Sequence, residues 1–415
     1  MTLNNNSGLR YDVIVVGGGA AGMMAAAIAS DTGQKVILIE KNDRLGKKLM
    51  ITGKGRCNLT NNCSVDEFMD NVVVNKKFLY GAVNRFSPTD TMEFFEKLGV
   101  RLKTERGRRV FPCSDRSLDI VNALSDFVKK SGCKTIKAKA KKILVDEKKV
   151  IGVMLSNQET IFGKKVILAC GGVSYPQTGS DGDGLKMAKM LGHKITKLKP
   201  SLVPLVSENS DCKSLQGLSL KNIRIDVIDK SKNKVIYTDF GEMLFTHFGL
   251  SGPVILSAST HIDNIEKGYK VNIDIKPALT HEKLDKRLQR EFLQNINKSF
   301  SNSLSSLLPK KLIPVVIKRS KIDAHCKCNS ITKEQRHNLC EILKNFSFDV
   351  SGFRPIEEAI ITSGGVSVKE INPKTMQSKL IDGLYFAGEM IDVDAYTGGY
   401  NLQIAFSTGY LAAIS

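Results

Sequence analysis

Hydrophobic positions along this chain fall into two kinds of run, and the switches between them outline the architecture. Residues 11–40 read YDVIVVGGGAAGMMAAAIASDTGQKVILIE. Tyr11–Val16 is a continuous apolar run, Gly17–Gly22 interrupts it, Met23–Ser30 is an alanine-rich helical stretch, and Lys35–Glu40 is a second apolar strand. Strands without polar alternation are buried on both faces, so the pattern predicts a parallel sheet with a crossover helix. Helical spacing follows at 89–100 and 115–130. From Lys134 the pattern alternates between turn signals, which predicts a β-meander ending in the strand Val166–Cys170, with a helix at Gly182–Leu191.

Residues 196–277 are again rich in short alternating runs, whereas the chain from His281 to about Leu343 has helical periodicity. Parallel-strand signals return at ITSGGVSV and GLYFAGEMI, where Leu384–Ala387 reads as a strand. The expected architecture is an α/β domain of residues 1–195 and 363–415, interrupted by a β-rich, barrel-like insert (196–278 and 345–362). A small helical insert (279–344) is nested inside it.

Composition changes this picture little. A chain of 415 residues is too long for one core, and 42% hydrophobic with 25% charged residues is ordinary for a globular protein. No apolar run reaches 18 residues, and MTLNNNSGLR lacks the apolar core of a secretory leader, so a cytoplasmic protein without a membrane partner is expected. Nine scattered cysteines predict free thiols. The HCKC stretch at His325–Cys328, with His337 and Cys340 behind it, has C-x-C rather than C-x₂-C spacing, and no metal is expected. Sixty-one Lys and Arg against 42 Asp and Glu give a formal charge of +19. That balance suits an anionic partner such as nucleic acid, or reflects a lysine-rich genome.

The chemistry begins at the first interruption. Gly17, Gly19 and Gly22, with Ala20 and Ala21 between them, form G-x-G-x-x-G after a strand and before a helix. Gly17 permits a tight turn, Gly19 lets a pyrophosphate approach the backbone, and Gly22 lets helix and strand pack closely. The helix start offers N–H groups and the positive end of its dipole to phosphate. Glu40, 18 positions after Gly22 at a strand end, is placed to accept from ribose hydroxyls. The next stretch, KNDRLGKKLMITGKGRCNLTN, is long, cationic and punctuated by glycine. Such a loop can follow an extended, permanently bound cofactor. Lys41, Arg44, Gly46, Lys47, Lys48, Thr52, Gly53, Arg56, Cys57 and Asn58 are candidates to line it, and Lys54 or Arg56 to meet phosphate.

The stretches GKGRCNLTN, ACGGVSYPQTGSDGDG, THFGLSGP and GLYFAGEMIDVDAYTGGYNLQIAFSTG together resemble the BaiN/RdsA-like flavoproteins, NAD(P)/FAD-dependent enzymes of the aminoacetone-oxidase type, over nearly the whole chain. The resemblance implies a glutathione-reductase-type, Rossmann-like FAD-binding domain holding FAD without a covalent bond. Ala169, Gly171 and Gly172 would then run past the dinucleotide, and Gly388 and Glu389 would lie near the ribityl or pyrophosphate part. Gly398, Gly399, Tyr400, Asn401 and Leu402 open a helix whose N–H groups can face the N1–C2=O edge of the flavin.

No second complete G-x-G-x-x-G occurs, so NAD(P)H is expected as a transient electron donor. The activity implied is reduction of a C=C bond, foremost uridine to dihydrouridine in 23S ribosomal RNA or its precursor. A small enoyl or steroid-type substrate and a non-enzymatic FAD-containing RNA- or ribosome-binding protein are the alternatives. Two proton donors are considered. Cys57, beside cations, has a route to a lowered pKa, and His247 titrates in a useful range. Asn58 and Asn61 can bond backbone or flavin atoms.

Overall fold

The computed structural model describes residues 10–415. The stretch 1–10 read for a leader lies, but for Arg10, outside the described residues. The chain divides into two compact units, one comprising the chain up to Ser201 with Ile356–Ser415, the other Leu202–Pro355.

The first unit is built on the expected parallel sheet. Strand Arg10–Val16 lies between Val36–Glu40 and Thr160–Leu168, both parallel to it. Lys134–Lys137 extends the sheet beyond Val36–Glu40, also in parallel, although its sequence read as the start of a meander. Thr160–Leu168 changes partner along its length. Its first residues pair antiparallel with Lys149–Leu155, and Val166–Leu168 pair in parallel with Leu384–Phe386. The carboxyl ends of four parallel strands therefore deliver Gly17, Glu40, Ala169 and Gly388 to one edge of the sheet, the edge at which such sheets bind ligands.

Two helices pack on each other beside this edge. The first, Ala20–Asp31, starts three residues earlier than its sequence suggested, so Ala20, Ala21 and Gly22 are its first turn rather than part of a loop. Its Ala-rich stretch is buried almost all round. The second, Tyr400–Ile414, is also buried along most of its length. A Cβ on Gly409 would overlap the Ala21 carbonyl, so the two backbones approach too closely for any side chain there.

In the second unit, one sheet has the order 346–350, 269–274, 219–229, 234–246, 249–251, 205–206, 352–353. Its two edge strands are separated in sequence by Ser351 alone. The sheet must curl to bring its edges that close, which makes it barrel-like. The helical segment does not stand apart with a core of its own. Leu284, Leu288, Phe292, Leu339 and Leu343 share one buried cluster with Ile225, Val227, Val271 and Ile273. The boundaries also move from 195/196 and 362/363 to 201/202 and 355/356. Lys199–Ser201 and Ile361–Ser363 pair as a ribbon within the first unit.

Candidate functional site

The glycine turn separates structural from ligand-facing positions. Gly17 has φ +103°, and a Cβ there would lie 2.6 Å from the Ala169 carbonyl oxygen. A Cβ on Gly22 would overlap the Gly17 carbonyl. A Cβ on Gly19, by contrast, would meet nothing within 4 Å. Gly19 is the N-cap, no side chain caps the helix, and its first turn holds no acidic residue. An uncapped, positively polarised helix start facing open space can receive a pyrophosphate.

Glu40 closes the other side of the turn. Its carboxylate accepts from Gly18 N (2.6 Å) and from the backbone and side-chain nitrogens of Asn42 (2.8 and 2.7 Å). The acid is thereby fixed at the strand end with its remaining lone pairs available to ribose hydroxyls.

The cationic loop differs from expectation. Lys41 pairs with Asp181, Lys47 with Asp43, and Lys48 with Glu389 (2.7 Å) and Ser174 Oγ (2.7 Å). Arg56 is held by Glu105 and Asp115, with its guanidinium 4.2 Å from the Phe111 ring centroid. All four of these cations are engaged by protein carboxylates. Arg44 is exposed. Glu389 also accepts from Thr362 N (2.7 Å) and Ser174 Oγ (3.0 Å). It thus ties the loop after Gly172 to the strand at Thr362. Sequence reading missed Ser174 and Thr362: both stand in quoted stretches, but their partner Glu389 comes from a distant part of the chain.

The stretch Gly53–Cys57 is held in an unusual backbone. Gly53, Lys54, Gly55 and Cys57 all have φ between +57° and +83°, the left-handed region that side-chain-bearing residues rarely adopt. Thr52 anchors it, its hydroxyl donating to Leu49 O (2.7 Å) and its carbonyl accepting from Cys57 N (3.0 Å). The contortion turns the chain so that Asn58, Thr60 and Asn61 meet the start of the last helix. Asn58, with its amide turned to satisfy both groups, accepts from Gly399 N (3.0 Å) and donates to Thr60 O (3.2 Å). Thr60 Oγ1 donates to Gln403 Oε1 (2.6 Å), and Asn61 Nδ2 donates to Gly398 O (3.1 Å).

Cys57 needs correction. Its side chain is fully buried, and burial pushes the thiol up to about 12, with only the Thr52 hydroxyl acting in the other direction. Arg56, the cation expected to acidify it, is taken up by two carboxylates instead.

The last helix begins like the first. Gly399 (φ +98°) is its N-cap, no side chain caps it, and its first turn has no acid. Asn401 bonds both backbone groups of Ala395 (3.0 and 2.7 Å), which fixes the turn that precedes the helix. The Tyr400 ring packs edge-on to Phe68, 5.5 Å between centroids, and burial pushes its hydroxyl up to about 12. Leu402 is half-buried. Gly388 N donates to Thr408 Oγ1 (2.9 Å) in this same helix. Gly171 and Gly172 lie against Ser180, Thr362 and Glu389.

His247 belongs to the second unit. It is exposed in the turn between Lys234–Thr246 and Gly249–Ser251, edge-on to Phe248. Among the described residues no group of three or more His, Cys, Asp and Glu is placed to hold a metal, and no helix is long and apolar enough to cross a membrane.

Two glycine-opened, uncapped helix starts and an acid fixed at the end of a parallel strand fit an extended dinucleotide, and the class is that of FAD-dependent oxidoreductases with a Rossmann-type fold. The chain belongs to the HI0933-like family, whose Rossmann-domain model matches residues 11–415. It is 32% identical over 408 residues to a 3-dehydro-bile acid delta(4,6)-reductase of Clostridium scindens, covering 96% of this chain and 97% of that one. It is 29% identical over 405 residues to a ribosomal RNA dihydrouridine synthase of Escherichia coli, covering 97% of each. Among solved structures, a flavocytochrome c3 fumarate reductase superposes with TM-score 0.53 at 19% identity, over 99% of this chain and 78% of that one. The 3-ketosteroid-delta4-(5alpha)-dehydrogenase of Rhodococcus jostii also gives 0.53, at 13% identity, over 99% and 98%. Both likenesses concern the fold alone.

Proposed function

We propose that this protein uses NAD(P)H to reduce an electron-poor C=C bond, and that its substrate is a uridine of 23S ribosomal RNA or its precursor, converted to dihydrouridine. The observation that carries the reading is full-length similarity to ribosomal RNA dihydrouridine synthases from two organisms, at 29% identity each. Charge supports it. Segment 279–344 holds 14 Lys and Arg against 6 Asp and Glu, a net +8, whereas the strand segments of the same unit hold 10 of each. Cations gathered in one segment suit a phosphodiester chain better than a uniform lysine bias does.

Bound FAD supplies two-electron transfer between NAD(P)H and the substrate. The protein's own part is binding and positioning. The N–H groups of Ala20 and Ala21 would hold the pyrophosphate, and Glu40 would hold the adenosine ribose. The start of the last helix, at Gly399–Leu402, would offer positive backbone dipoles to a flavin edge on which negative charge develops. Asn58, Thr60 and Asn61 set the angle of that start. Saturating uridine requires a hydride at C6 and a proton at C5. Cys57 is fully buried, so the C5 proton is not assigned to it.

The decisive experiment is mass-spectrometric mapping of dihydrouridine in 23S ribosomal RNA from cells with and without the gene. One dihydrouridine should disappear on deletion and return on complementation. An unchanged map would rule the substrate out. It would also favour the second reading, a small-molecule enoyl or steroid-type reductase, which the 32% identity to the bile acid reductase supports. In that case a conjugated ketosteroid, not RNA, should accelerate NAD(P)H consumption.

A further inference from the structure

The hairpin formed by Leu102–Glu105 and Arg109–Pro112 lies in the first unit and belongs to none of the motifs. Residues 101–116, RLKTERGRRVFPCSDR, contain six Lys and Arg and two acids. Glu105 and Asp115 are shared between Lys103 and Arg56. Arg101, Arg106, Arg108 and Arg116 are exposed. Arg108 pairs with Glu67, and that pair is itself about half exposed to water, so it contributes little to holding the arginine.

The tip of the hairpin is fixed beside the flavin-side turn. Asn61 Nδ2 donates to Gly107 O (3.0 Å) and to Gly398 O (3.1 Å), so one nitrogen joins hairpin tip and helix start. Asn62 N donates to Arg108 O (2.7 Å), and Leu59 N to Val110 O (2.9 Å), so loop and hairpin form one small sheet. Gly107 and Arg108 both take left-handed backbone (φ +75° and +57°), which curls the tip and sends its arginines outward. Arg109 supports the curl by donating from Nε to Arg106 O (3.0 Å).

We infer that the Arg106–Arg108 tip is a phosphodiester-binding rim of the active site, holding the backbone of a single-stranded RNA substrate next to the nucleotide that is reduced. Arginine suits this because its planar fork pairs with two phosphate oxygens at once. A flipped or unstacked base must leave its neighbours' phosphates close to the reacting site, and the tip is joined through Asn61 to the turn at Gly398. A neutral apolar substrate would find no use for such a rim. The inference rests on the proposed RNA substrate and adds where its backbone is gripped.

The test uses the FAD-loaded protein and a fluorescein-labelled single-stranded oligouridylate, with affinity measured across a salt series. The double variant Arg106→Gln/Arg108→Gln should bind at least tenfold more weakly at low salt. Its slope of log affinity against log salt should be shallower by about 1.4, as expected for two lost phosphate contacts on a single strand. Unchanged FAD content shows that the variant folds. If the wild type binds the oligonucleotide and the variant matches it in affinity and slope, the rim assignment is overturned while the RNA reading stands. If the wild type does not bind, the RNA reading fails and the rim with it. If the variant instead keeps RNA affinity and raises KM for NADPH, the tip serves the electron donor and the assignment is also overturned.

Discussion

The helices Ala20–Asp31 and Tyr400–Ile414 both begin at a glycine that no side chain caps. They are held in place by different means. The first is fixed largely by its own neighbourhood, since Glu40 bonds a glycine 22 positions before it. The second is fixed by Asn58, Thr60 and Asn61, the last of these 337 positions from its partner Gly398. The same chemical device, a polarised and unsatisfied helix end, is therefore built once from local sequence and once from a long-range clamp. Damage to the first should act on the turn itself, and damage to the second can act from a distance.

The largest effects should come from glycines that have no room. Gly22→Ala puts a methyl into the Gly17 carbonyl, and Gly399→Ala puts one into Thr60 at φ +98°. Each should cost about 3 kcal/mol or more through overlap that the packed turn cannot relieve, and neither variant should purify with FAD. Gly19→Ala separates fold from ligand, because its methyl enters open space. Its thermal stability without cofactor should stay within about 1 kcal/mol of wild type, while FAD affinity, measured by fluorescence quenching, drops at least tenfold. Undiminished FAD affinity in Gly19→Ala would mean that the first helix start does not meet the cofactor.

An intermediate effect should come from the clamp. Asn61 is almost fully buried, and Asn61→Ala strands two carbonyls, Gly107 and Gly398. Losing those bonds should cost about 1–3 kcal/mol. Part of this should appear as weaker FAD binding, although Asn61 is not part of the glycine motif. Calorimetry on the apo and loaded protein distinguishes the outcomes. A loss of fold stability with unchanged FAD affinity would break the comparison, leaving Asn61 a structural residue only.

This contrast also explains what could be read from the sequence. The turn at 17–22, the acid at 40, the β-rich insert and the helix after Gly399 are set by local patterns of period 2 or 3.6 and by glycine spacing, and they could be read directly. The ion pairs of Lys48 and Arg56 could not, because Glu389 and Glu105 come from other parts of the chain. A cation in a loop looks the same in sequence whether a phosphate or a carboxylate waits for it. The merging of helical segment and strands into one core was hidden for a related reason. Leu284, Leu288 and Phe292 show that an apolar face exists, but not which surface covers it. The hairpin at 101–116 was visible as charge, yet only the fold sets its tip beside Gly398.

The smallest effect concerns Cys57, which lies beneath the clamp and was first read as an activated thiol. A thiol activated by a neighbouring cation has a depressed pKa, reacts quickly near pH 7, and levels off once ionised. Cys57 is buried with its pKa pushed up to about 12, so at pH 7 only about one molecule in 10⁵ carries the thiolate there. Its alkylation by iodoacetamide in the native protein should therefore be slow. The rate should climb about tenfold per pH unit from pH 7 to 10 without levelling, because the thiolate fraction does so throughout that range. Peptide mass spectrometry separates Cys57 from the exposed Cys113, which should react first and serves as the internal standard. A plateau for Cys57 below pH 9 would show an acidified, accessible thiol, and the clamp above it would then have to open to expose chemistry rather than merely hold the helix start.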